Sequence, residues 1–246
     1  MSLRLIFLLT FLTSACSNRL PVPDVAPSRN FAESWQRVLD THLDPAGRVD
    51  FEGAGRDRGE LDAVLVSLAE KPVADLDSAE HLARLLNAYN AQCLRAVLDS
   101  GYQPSQKLRF FWLTEQRLDG AWISLYDLEN ERLRTLQDAR IHFALNCMTR
   151  GCPPLSGEAF VGPRLDEQLD AMTRAFASDP RFVQPDPDKG EVHLSKVLKW
   201  YEEDFLAEAS GLLEWLNRYR DEPLDISWEV RWLDYDWTLN STPDQP

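Results

Sequence analysis

Basic residues are the first shortage: 26 Lys and Arg stand against 40 Asp and Glu, a formal net charge of -14. A chain this acidic repels phosphate backbones and anionic lipid surfaces unless its cations are segregated, and no Lys/Arg cluster with interleaved aromatics segregates them. Nucleic acid is therefore excluded as a partner, and the acidity is read as a source of solubility. Long hydrophobic runs are missing too. The run from Leu5 to Leu12 is about eight residues, well short of the roughly 20 that a membrane-spanning helix needs. Cysteine and histidine number only four each. From Phe31 to about Asn240 there is no repeat and no second Pro-, Gly- and Ser-rich gap, so the stretch is read as one domain. With 44% hydrophobic and 10% aromatic residues it has ample material for a core.

What is present begins at the N-terminus. Arg4 supplies a positive flank, Leu5 to Leu12 the apolar run, and Thr13, Ser14 and Ala15 the small residues that a signal peptidase requires before its cut. Cys16 follows, and the group resembles a bacterial lipobox, with Leu12 one place earlier than usual. A diacylglyceryl chain on Cys16 with a second acyl group gives stable anchoring, whereas a single chain is marginal. The expected partner of this end is thus a membrane, reached through a lipid anchor. Ser17 after the cysteine points to an outer-membrane, periplasm-facing destination, and the alternative is a plain secretory signal with a soluble product. Pro21, Pro23 and Pro27 forbid a helix or a central strand, so residues 16–30 are expected to form a tether after a signal segment over 1–15. The domain spans 31–240, and residues 241–246 are a polar tail.

Apolar spacing predicts helices from Phe31 to His42, Leu61 to Leu68 and Ser78 to Leu98, the last with a stripe of Leu82, Leu86, Tyr89, Cys93 and Val97 and a stop at Gly101 and Pro104. The segment between the first two is read as turn material around a possible short strand. Leu108 to Leu113 has the composition of a strand that could pair with Ala121 to Leu125. Ser124 reads as a cap for a helix reaching Leu133, on which Glu129 and Glu131 are taken, on composition alone, as solvated carboxylates. Further helices are expected from Leu165 to Asp179, from Ser195 and over Gly211 to Tyr219. A hairpin over 181–194 turns at Asp188-Lys189-Gly190, and a strand runs over 226–235. The expected fold is α+β, helix-rich, with a small antiparallel sheet. The tryptophans suggest a large aromatic packing cluster, or an open groove for sugars.

The densest chemistry lies between Ala139 and Phe160, where His142, Cys147 and Cys152 fall close together with Arg140 and Asn146. Gly151 permits a tight bend, and Pro153-Pro154 stops any helix. Three readings compete. Cys147 or Cys152 is a nucleophile activated by His142, which Glu129 or Asn90 orients; or the two cysteines form a structural disulfide in an oxidising compartment; or His142 and thiolates bind a metal, for which no fourth ligand stands out. Four residues separate the cysteines, so a two-residue redox motif is excluded. His193 reads as a half-buried strand residue or a base for the thiol, and His42 and His81 are weaker bases. Asn87 and Asn90, beside the stripe of the long helix, are expected to tie it to a loop or to position a ligand. No cofactor is indicated.

The segments LLNAYNAQCLRAVL, SLYDLENERLR, RIHFALNCMTRGCPPL, VLKWYEEDF and YDWTLN together resemble the bacterial domain-of-unknown-function family 547 over roughly residues 80–240. The resemblance implies an exported or envelope-associated, mainly helical domain with some β structure, and brings no settled reaction. Its polar positions fall on Asn87, Asn90, Glu129, Arg140, His142, Cys147, Cys152 and Asp236. Two functions are expected on this basis: a binding or structural module for an envelope protein or peptidic ligand, or a cysteine-dependent hydrolase or acyl-transferase using a Cys-His pair.

Overall fold

The computed structural model describes residues 18–70, 76–101 and 103–243. The signal segment and Cys16 lie outside the described residues. Among those residues no helix is long and apolar enough to cross a membrane.

β1 (Asn18–Arg19) and the buried Leu20 dock the start of the expected tether against the domain. Asn30 caps α1 (Phe31–His42), which buries Trp35, Val38 and Leu39. The turn material expected next is in fact a short helix, α2 (Phe51–Arg56), because the Asp50 carboxylate accepts the Gly53 amide at 2.7 Å and Ala54 is buried. α3 (Gly59–Ala69) follows. α4 (Ser78–Ser100) starts in a capping box of Asp77 and Glu80 and ends at Gly101, whose φ of 64° favours glycine. It is more than amphipathic. From Leu85 to Val97 every residue is buried, since α1, α3, α7 (Leu165–Ser178) and a sheet strand all pack on it.

Leu108–Leu113 corrects the sequence reading. It winds as a wide helical turn, with the Arg109 carbonyl accepting from both the Thr114 amide and the Thr114 hydroxyl, the latter at 2.8 Å. Phe111 and Trp112 line a cavity wall and Phe110 is buried in the core, so the aromatics do not serve a sheet face. The strand begins just after it: β2 (Thr114–Leu118) pairs antiparallel with β3 (Ala121–Ser124), and Asp119 and Gly120, with φ of 50° and 79°, make the two-residue turn. Ser124 then caps α5 (Leu125–Asp127), and the helical path continues to Leu133.

Among the described residues the β structure forms two three-stranded sheets in place of one. β1 pairs parallel with β2. β4 (Val183–Asp186) and β5 (Glu191–Leu194) make the expected hairpin, and β6 (Glu229–Trp232) joins β5 in parallel. The fold is α+β and helix-rich. α6 (Ile141–Ala144) sits between two apolar clusters: Ile141 and Ala144 belong to one built on α4, and Phe143 to a second with Phe176, Phe205 and Trp215. That second cluster gathers α7, α9 (Glu202–Leu206) and α10 (Leu212–Asn217), and α8 (Lys196–Trp200) leads into it. Trp215 is its buried centre, whereas Trp228 and Trp232 only pack on its margin. His142 is thereby fixed where the two clusters meet.

Candidate functional site

The loop after α6 is tied down by the long helix. Asn90 donates to the Ala144 carbonyl at 2.9 Å and accepts the Asn146 amide at 2.9 Å, so one buried amide closes both sides of the chain's exit from α6. Asn146 then folds the loop on itself, accepting the Met148 amide and donating to the Pro153 carbonyl at 2.7 Å. Gly151 is required by close approach: a Cβ there would come within 2.9 Å of the Asp236 backbone, to which the Gly151 amide donates. This contact brings the 235–240 segment alongside the loop and places the Tyr235 hydroxyl over both cysteines.

Cys147 and Cys152 are free thiols with sulfurs 2.8 Å apart, longer than the about 2.05 Å of a bond, so the expected disulfide is not formed. The Cys152 sulfur accepts the Cys147 amide at 3.1 Å and lies 3.1 Å from the Tyr235 hydroxyl. Burial pushes the Cys152 thiol up, but the Cys147 thiol, Tyr235 hydroxyl and Cys147 amide more than offset it and bring it to about 7. Burial and the neighbouring sulfur push Cys147 the other way, well above the ordinary thiol range. The pair therefore holds a proton on Cys147 and readily gives up the one on Cys152.

His142 does not complete a Cys-His pair. Its Nε2 lies 2.8 Å from Asp204, and its Nδ1 is buried with no hydrogen-bond partner. Asp204, not Glu129 or Asn90, orients the ring, and Arg134 grips the same carboxylate twice at 2.7 Å. Burial raises Asp204, while His142 and Arg134 together pull it far below the usual carboxylate range. The imidazole also stacks on Tyr201, ring centres 3.8 Å apart. Glu129 is buried, against the solvated reading, and takes the Tyr89 hydroxyl at 3.3 Å. Glu131 is exposed. Burial pushes the Glu129 carboxyl up, with Tyr201 and His142 opposing.

These groups face one cavity of about 410 Å³. Cys147, Cys152, His142 and Glu129 line it, and two aromatic groups border it: Trp112 stacked on Tyr126, and Trp200 with Tyr235 and Trp237. The other sequence candidates fall elsewhere. Asn87 ties α4 to Phe160 through both its amide atoms, and Arg140 is held by Asp138, Asp166 and Asp170. Asp236 caps the turn at Thr238, and His193 sits on β5 outside the cavity. Cys93 is buried inside α4. Asp204, Tyr201, Tyr235 and Thr149 were not singled out by the sequence, although all four lie in segments that carry the family resemblance. Among the described residues no cluster of three or more His, Cys, Asp and Glu is arranged to hold a metal.

No curated protein and no solved structure matches the chain. Residues 73–177, which contain α4, Glu129, His142 and both thiols of the pair, match the model of the family described as "Protein of unknown function, DUF547".

Proposed function

We propose that the chain is an exported envelope lipoprotein whose domain carries out cysteine-dependent acyl chemistry, as a hydrolase or acyl-transferase, on a peptide or amide substrate. The observation that carries the reading is the Cys152 sulfur, drawn toward thiolate by an amide, a thiol and a phenol on the wall of an open cavity. The thiolate attacks the substrate carbonyl carbon and forms a C–S bond as the C–N bond breaks. The Cys147 thiol, which keeps its proton, supplies it to the departing amine. Water or a second nucleophile then cleaves the thioester, giving its proton to the Cys147 thiolate as the C–S bond breaks, so that Cys152 leaves as the thiolate and Cys147 regains its proton.

Incubation with p-nitrophenyl acetate tests this directly. Peptide mass analysis is expected to find one acetyl group on Cys152 that is lost with time, and none in Cys152→Ser. An adduct on Cys93 alone, or none at all, would remove the acyl chemistry. A second reading, ligand binding without chemistry, is favoured by the half-exposed Trp112 and Trp200 at the cavity. That reading takes over if the thiol forms no acyl adduct while the aromatics still respond to a ligand.

Anchoring is a separate part of the proposal. Cys16→Ser is expected to move the protein from the membrane fraction to the soluble one and to abolish palmitate labelling, because the acylated thiol is the sole anchor proposed. A variant that stays with the membrane, beside a wild type that takes up no label, would overturn it.

A further inference from the structure

We infer that the cavity takes its ligand by a primary ammonium group, held on a floor of Glu129 and His142 and walled by aromatic rings. The inference rests on the preceding reading only in taking this cavity as the binding site.

The floor is rich in acceptors that nothing in the protein fully matches. Glu129 is buried and makes no ion pair among the described residues. Its hydrogen-bonding neighbours are the Tyr89 and Tyr201 hydroxyls, while His142 and Arg134 act on it through charge from a distance without closing an ion pair. A carboxyl buried in this way keeps its proton until a cation arrives to stabilise the ionised form. Burial does push Glu129 up.

His142 adds a second acceptor. Asp204, gripped by Arg134, accepts from the Nε2 side of the ring at 2.8 Å, so Nδ1 is the ring nitrogen left for a ligand. That Nδ1 is buried and unpartnered, a condition that native interiors rarely leave without a ligand or water. An ammonium group carries three donors and no acceptor, which matches a carboxylate and a bare imidazole nitrogen. An anion would instead meet the unpaired carboxyl.

The walls agree with the floor. Tyr89, Tyr201, Trp112, Tyr126 and Trp200 line the cavity, and aromatic rings attract cations through the quadrupole of the π-system. The two cations among the lining residues are already engaged. Arg134 is bound to Asp204 and Glu203, and the Lys107 ammonium lies 4.1 Å from the Trp237 ring centre. The net charge of -14 adds a long-range field that draws a cationic ligand to the protein.

The test uses full-length protein in detergent and three probes of equal chain length: 1,5-diaminopentane, 1,5-pentanediol and glutarate. Calorimetry with tryptophan fluorescence is expected to show saturable binding of the diamine, at least about tenfold tighter than the diol, with no binding of glutarate. Glu129→Gln is expected to weaken the diamine by about tenfold and leave the diol unchanged. Equal affinity for diamine and diol, preference for glutarate, or no saturable diamine binding overturns the inference. The wild-type series decides this even where the variant fails to fold. Cys152→Ser separates this inference from the acyl chemistry, because it is expected to bind the diamine as the wild type does. Diamine binding with no acyl adduct at Cys152 would remove the chemistry and keep the ammonium site. An acyl adduct without diamine selectivity would do the reverse.

Discussion

Iodoacetamide is expected to label Cys152 in the unreduced protein with a half-maximal rate near pH 7, while Cys147 and Cys93 stay unmodified. The thiolate is the reacting species, so the rate rises with pH through the thiol's own titration. Cys152 is brought to about 7, whereas burial holds Cys147 and Cys93 well above the ordinary thiol range. Against a free thiol at about 8.5, a thiol at 7 carries about twentyfold more thiolate at pH 6.5. Tyr235→Phe removes one of the donors on the sulfur and is expected to slow labelling at pH 6.5 severalfold, with little change at pH 9. His142→Ala is expected to leave the midpoint near its wild-type position, since the imidazole makes no hydrogen bond to either thiol. Quantifying each modified peptide by mass across pH 5 to 9 checks all three arms. A midpoint at or above the free-thiol value, preferential labelling of Cys147, or a large shift in His142→Ala would defeat the account of Cys152 as the reactive sulfur.

How far the site was legible in the sequence depended on the range over which each contact acts. The ends of α4 were readable because capping is local: Asp77, Glu80 and Gly101 sit within a few residues of the groups they satisfy. Ser124 as a cap and the hairpin turn before β5 were readable for the same reason. The cysteine loop announced itself through Gly151 and the two prolines after Cys152. Glu129 did not, because a carboxylate beside Asn130 and Glu131 on a helix looks solvated until Tyr89, forty positions away, covers it. Asp204 and Tyr235 reach His142 and Cys152 across |i−j| of 62 and 83, and no local pattern distinguishes them from surface residues of the same type. The Leu108–Leu113 turn was misread for a related reason. Its aromatic composition fits a strand, but that composition serves the cavity wall here.

Two asparagines one turn apart on α4 separate structural support from support of the site, and Asn90→Ala is the more informative change. It removes the partner of the Ala144 carbonyl and of the Asn146 amide, both buried, and leaving two such groups unmatched costs about 3 kcal/mol. Asn146 also shapes the loop that presents Cys147 and Cys152, so loosening its amide releases the geometry that holds the two sulfurs together. Urea unfolding is expected to show the lost stability, and labelling at pH 6.5 is expected to slow as Cys152 loses its ordered donors. Asn87→Ala is the matched comparison. It orphans the Phe160 amide and carbonyl in the same way and should cost a similar amount, but the loop it supports lies past the prolines, away from the sulfurs. Its labelling profile is therefore expected to follow the wild type. Asn90→Asp refines the distinction, because it keeps an acceptor for the Asn146 amide and loses only the donor to Ala144, so it is expected to fall between the two in thiol reactivity. If Asn90→Ala and Asn87→Ala were equally destabilised and equally unaltered in labelling, the long helix would be a scaffold with no hold on the thiol pair.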